Sequence, residues 1–180
     1  MKDLRQISAL VQVLFQERWR PLPCTRPAAK EWPELCHPGV YILACSKSNL
    51  RGRLIEPHRI IYVGVSHSKK GVLGRVGDFI YGLEMKRPHD AKRGAHSAAR
   101  HYRRLHCGGG PFSQKSDGKA WYFAAATIPS SPKDLSTVPS KLRVHGAVLC
   151  LEQYTLAHVQ EVRPYKAPVL NTPNKQLHSE

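Results

Sequence analysis

The runs His37-Pro-Gly-Val-Tyr-Ile-Leu-Ala-Cys45 and Arg59-Ile-Ile-Tyr-Val-Gly64 decide how this chain folds. Both are apolar, rich in β-branched and aromatic residues and bordered by Gly or Pro, which predicts strands over 39–45 and 59–64. The polar, basic stretch 46–58 joins them as a hairpin with a long loop. Each strand carries a tyrosine and a glycine, in Gly39-Val40-Tyr41 and Tyr62-Val63-Gly64. Tyrosines on adjoining strands can bring two phenols to one point, an arrangement suited to proton transfer and to orienting a phosphate. A lone strand tyrosine is usually just an aromatic that favours sheets. Here the flanking glycines, which allow close approach to the backbone, shift the reading toward a site.

Outward from the hairpin, Leu4, Ile7, Val11, Leu14 and Phe15 recur at helical spacing and predict a helix over 3–18, with Asp3 as a cap. The proline-rich stretch 21–38 reads as an extended connector. Val72, Val76, Phe79 and Ile80 share a helical face, against which Gly74 and Gly77 weigh. A further helix over 95–106 stops at Gly108-Gly-Gly-Pro111, and 120–128 is a largely buried third strand. After a Ser/Pro-rich loop, Val148, Leu151, Thr155, Leu156 and Val159 mark a long helix over 142–162, ended by Pro164 and Pro168. Strand, strand, helices, strand, helix is a mixed α/β pattern, with no internal repeat.

The 180 residues are about one domain's worth of chain. Lys and Arg number 28 against 13 acids, a formal charge of +15, which points to a polyanionic partner, nucleic acid first. A basic protein of a ribonucleoprotein or a membrane surface shares that charge. No apolar stretch approaches the roughly 20 residues of a membrane span, and Met1-Lys-Asp-Leu-Arg-Gln does not start a signal peptide. Cys24, Cys36, Cys45, Cys107 and Cys150 show no CxxC or zinc spacing, so reduced thiols in a cytoplasmic, intracellular setting are expected.

Three further features bear on chemistry. Arg75 lies on the helix after the second tyrosine strand, and its planar fork of donors suits a phosphate, although a solvated arginine is the plainer reading. Glu152 interrupts the apolar run 147–156, where a carboxylate needs a partner; Mg²⁺ or Mn²⁺ would suit it, as would a local base, with Glu161 as the fallback carboxylate. His96, Arg100, Arg103 and Cys107 share a helical face. With Lys86, Arg87, Lys92, Arg93 and Arg104 they make a basic stretch opposed by Asp90 alone. Such a stripe is expected to track a phosphate backbone, with Lys69 and Lys70 alongside.

Taken together, these residues resemble the GIY-YIG nuclease superfamily from Pro38 to about Asn171. Gly39-Val40-Tyr41 is similar to its first motif and Tyr62-Val63-Gly64 to its second, Arg75 to the arginine of the next helix and Glu152 to the metal-binding glutamate. Pro168-Val-Leu-Asn171-Thr172 resembles the closing motif, whose asparagine helps hold the site together, and His96-Ser-Ala-Ala-Arg100 resembles a histidine-led helix of the homing-endonuclease branch. The chain departs from the pattern at Phe79, where many members carry His or Tyr, at Val65, where several carry Lys, and in the 20 residues between Tyr41 and Tyr62.

The resemblance implies a small α+β domain over 34–175 with a central three-stranded, mostly antiparallel sheet flanked by helices. It is preceded by the N-terminal helix and connector, 1–33, and followed by a tail, 176–180. It implies a metal-dependent endonuclease acting on double-stranded DNA, of type II-like restriction character, with a mobile-element or repair nuclease as the alternative. Tyr41, Tyr62, Arg75, Glu152 and Asn171 would gather at one pocket, with His96 standing in as proton relay for Phe79. Mg²⁺ or Mn²⁺ would sit on Glu152, Tyr41 with Tyr62 would orient or deprotonate water, and Arg75 would stabilise charge on the phosphate. The N-terminal helix offers a surface for a homodimer, or simply packs on the sheet. The competing reading is a non-catalytic nucleic-acid-binding module with the same fold. A membrane partner is not expected.

Overall fold

The computed structural model describes residues 4–22, 31–84, 96–113 and 118–162. Along the chain come α1 (Leu4–Gln16), β1 (Arg20–Pro21), β2 (Gly39–Ser46), β3 (Tyr62–Ser66), α2 (Gly71–Glu84), α3 (Ser97–His106), β4 (Ala120–Thr127) and α4 (Val138–Val162). The four strands form one sheet in the order β1-β4-β2-β3, with every neighbouring pair antiparallel. Tyr41 stands opposite Gly64 across β2 and β3, and Leu43 opposite Tyr62.

The mixed α/β class is as the sequence predicts, but the sheet has four strands where three are expected. The extra strand comes from the start of the proline-rich stretch, where Arg20 pairs with Phe123 and Pro21 with Tyr122. Proline is tolerated there because β1 is an edge strand. The same stretch winds into a 3₁₀ turn at Pro33–Cys36, so it is not extended throughout. β3 begins at Tyr62 because Pro57–Arg59 forms another such turn, closed by the Ile60 N–H donating to the Pro57 carbonyl (3.1 Å).

β2 is covered on both faces, which is why it reads as a continuous apolar run and not as an alternation. Its pleat sends Val40, Ile42 and Ala44 into a core with Ile7, Val11 and Leu14 of α1 and Val148, Leu151 and Val159 of α4. Tyr41 and Leu43 point the other way, into a core with Val72, Val76 and Phe79 of α2 and Ala98, Ala99 and Tyr102 of α3. One sheet thus separates two helical layers. Each fully enclosed Ile, Leu or Phe contributes roughly 1.5–3 kcal/mol over an exposed one. The apolar stripe of α1 is spent inside the molecule.

α2 runs through Gly74 and Gly77 because its burial outweighs the roughly 1 kcal/mol that each glycine costs. At Gly82 an added Cβ would lie 2.8 Å from the Ala99 Cβ, so α2 and α3 touch there almost backbone to backbone. α4 starts earlier than predicted, with Pro139 in its first turn, where a missing N–H costs little. Among the described residues no helix is long and apolar enough to cross a membrane.

Candidate active site

Tyr41 springs from the middle of β2 and is wholly enclosed, while Tyr62, on the edge strand β3, is only half-buried. Their rings lie 6.0 Å apart at 55°. Gly64 makes this possible. A Cβ on Gly64 would sit 2.5 Å from both Tyr41 Cζ and Tyr62 Cε1, and 2.6 Å from Tyr41 Oη. Gly39 answers a different need, since a Cβ there would fall 2.3 Å from the Ala126 carbonyl oxygen of β4.

His96 is the third ring of the cluster. It caps α3, and its Nδ1 accepts the Ala98 N–H at 3.2 Å. The imidazole is buried, 5.3 Å from the Tyr62 ring and edge-on to Phe79 at the same distance. Its Nε2 makes a hydrogen bond with Tyr41 Oη. Burial first, then the charges of Arg75 and Arg100, pull the imidazole down to about 3, so it is neutral near pH 7. A neutral ring that accepts at Nδ1 carries its proton on Nε2, so Nε2–H donates to the Tyr41 oxygen.

The Tyr41 hydrogen is then free for Tyr62. The two phenols act on each other, Tyr62 raising Tyr41 and Tyr41 lowering Tyr62. Burial dominates for both, leaving Tyr41 well above the usual phenol value and Tyr62 also above it. Arg75, about a third exposed and 3.9 Å from Asp78, pulls both phenols downward. A hydrogen bond thus joins His96 to Tyr41, with the Tyr62 ring against both and Arg75 beside them. Tyr41, enclosed and hard to ionise, is the inner phenol and Tyr62 the outer one.

Glu152 reaches this cluster less directly than expected. It rides on α4, the helix covering the face of the sheet opposite to Tyr41. Its charge acts on Tyr62. Half-buried, its carboxyl is raised by desolvation, and no ion pair or hydrogen bond to it is found among the described residues. Among those residues no group of three or more His, Cys, Asp or Glu is placed to hold a metal ion.

The basic stripe divides. Arg103 is buried, and its guanidinium donates to the carbonyls of Gly110 (2.7 Å), Gly109 (2.8 Å) and Gly82 (3.2 Å), closing the end of α3 and fastening it to α2. It is a structural arginine, not a phosphate contact. Lys69, Lys70, Arg100 and Arg104 are exposed. Lys92, Arg93 and Asn171 lie outside the described residues, as does the motif around Pro168.

The sequence reading missed His67 and His145, whose rings lie 4.7 Å apart, tilted at 52°, next to Arg75. Nothing in their spacing, 78 positions apart, signals the pairing. No protein-family model, no curated protein and no solved structure matches this chain.

Proposed function

We propose that this protein is a metal-dependent endonuclease of the GIY-YIG kind, hydrolysing phosphodiester bonds of double-stranded DNA. The observation that carries the reading is the buried His96–Tyr41 hydrogen bond with the Tyr62 ring packed against it and Arg75 beside them. A buried imidazole–phenol hydrogen bond next to a half-exposed second phenol is costly as mere packing and useful for moving a proton. His96 arrives from the start of α3 and packs on Phe79, so the relay the family places one turn after Arg75 is supplied by another helix.

In this mechanism Tyr62, as its phenolate, takes the proton of the attacking water. The O–H of Tyr41, itself held by His96 Nε2–H, donates to the Tyr62 oxygen and stabilises its charge, so Tyr41 and His96 are positioning residues. The Arg75 guanidinium, shared between this cluster and the surface, stabilises charge on the phosphate oxygens. Glu152 would hold Mg²⁺ or Mn²⁺. The fit is reasonable, since a half-buried carboxylate with no cationic partner among the described residues is a hard oxygen donor, and Mg²⁺ manages with one or two carboxylates plus water and phosphate oxygens. Bound there, the ion would neutralise charge on the phosphate and the departing oxygen.

The test is incubation of purified protein with supercoiled plasmid in Mg²⁺, in Mn²⁺ and in chelator. Metal-dependent nicking that Glu152→Gln abolishes, with gel-shift binding intact, supports the reading. Undiminished nicking by that variant overturns the role of Glu152. Salt-sensitive binding by the wild type with no scission in either metal favours the non-catalytic module, a reading to which the enclosure of Tyr41 lends weight. Sequencing the ends of digested genomic DNA then separates a restriction-type enzyme from a mobile-element or repair nuclease.

A further inference from the structure

Beside the phenol cluster lies a cleft of about 480 Å³, lined by His67, Ser68, Lys69, Arg75, Lys141 and His145 among others. It joins the loop after β3 to the first turns of α4. Its size falls within the roughly 300–1,000 Å³ typical of ligand pockets. Among the described residues no carboxylate lines it. Three cationic side chains and two imidazoles converge there, and Asp78, 3.9 Å from Arg75 but outside the lining, offsets only part of that charge, leaving an excess that an anion would balance. His67 Nδ1 and His145 Nε2 are buried and have no hydrogen-bond partner among the described residues, a capacity that the chain itself leaves unused. His67 is already held below the ordinary imidazole value by burial, then by His145 and Arg75.

Arg75 belongs to both places. It acts on Tyr41, Tyr62 and His96 on one side and lines the cleft on the other. We infer that this cleft seats the phosphodiester next to the one cleaved, gripped by Lys69, Lys141 and the His67–His145 pair, so that a DNA strand is registered over Tyr62 by a neighbouring phosphate. This rests on the nuclease reading for its meaning, but its test does not use cleavage.

Binding of a fluorescent DNA duplex is measured by anisotropy across a salt series, in chelator, for wild type, Lys141→Ala, Lys69→Ala and His145→Gln. Lys69 and Lys141 are exposed, so their removal leaves the fold intact. Loss of one phosphate contact lowers the slope of log K against log salt by about 0.9 and weakens binding at every salt concentration. A wild-type slope in both lysine variants, or no duplex binding by the wild type, overturns the assignment. Inorganic phosphate at constant ionic strength is the second arm. If it shifts the His67 and His145 resonances while the variants keep the wild-type slope, the cleft takes free phosphate and the strand assignment falls. A lowered slope in a protein that never cuts DNA leaves the cleft standing and removes the nuclease. Cutting with unchanged slopes does the reverse.

Discussion

Replacing His96 with Asn separates the imidazole's cost to the fold from its cap. Asn accepts a backbone N–H at a helix N-cap as well as any residue, so the Ala98 bond survives, but Asn does not titrate. In the wild type the unfolded imidazole takes a proton near its ordinary 6.5, whereas the folded one resists until about 3. Between these values the unfolded chain holds more protons, so stability is full above 6.5 and is lost as pH falls toward 3. At pH 7 the loss is about 0.2 kcal/mol; at pH 5 it reaches about 2 kcal/mol, since each pH unit below 6.5 costs about 1.4 kcal/mol. Urea unfolding of both proteins at pH 7 and pH 5 reads this as a difference of differences. His67 and His106 are also held low, but they contribute equally to both chains and cancel. Equal acid sensitivity in wild type and His96→Asn would refute the argument, as would an NMR titration placing His96 near 6.5.

Gly64→Ala drives a methyl into both phenol rings, and overpacking of that kind costs about 2 kcal/mol, or roughly 5 °C in Tm for a chain this long, measurable by calorimetry. Arg103→Ala leaves three carbonyls unmet at the end of α3; it is expected to cost about 3 kcal/mol in denaturant unfolding, while Arg100→Ala and Arg104→Ala cost under about 0.5 kcal/mol. In the proposed mechanism, because Tyr62 sits above the ordinary phenol value of 10, the phenolate is scarce at neutral pH and cleavage is expected to climb about tenfold per pH unit from 7 to 9 without a plateau. Tyr62→Phe loses about 10²–10⁴-fold in single-turnover rate and flattens that profile, whereas Tyr41→Phe loses less and keeps its slope.

The hairpin was legible because β2 and β3 are stretches in which period, residue type and boundary signals agree, and because both glycines sit where the backbone is crowded. His96 was legible as a candidate only through its motif. Its hydrogen bond to Tyr41 depends on the packing of α3 against α2, which no local pattern encodes. Arg103 was misplaced because a helical wheel shows which residues share a face, not which way that face turns. Its position in the stripe with His96 could equally have marked a buried seam. β1 escaped notice since two residues carry no periodicity, and His67 with His145 because they meet only in the fold. Glu152 stands out by its apolar surroundings, but no local pattern tells that α4 lies across the sheet from Tyr41.

That last placement gives the molecule a built-in dependence on its own integrity. The phenols and imidazole belong to one side of a partition, and the helix that carries Glu152 covers the other. A lesion as remote as the seam between Ile7 and Val148 can let α4 drift while the opposite layer stays whole. Loss of coupling between Glu152 and Tyr62 would then precede any loss of secondary structure, and circular dichroism would not register it.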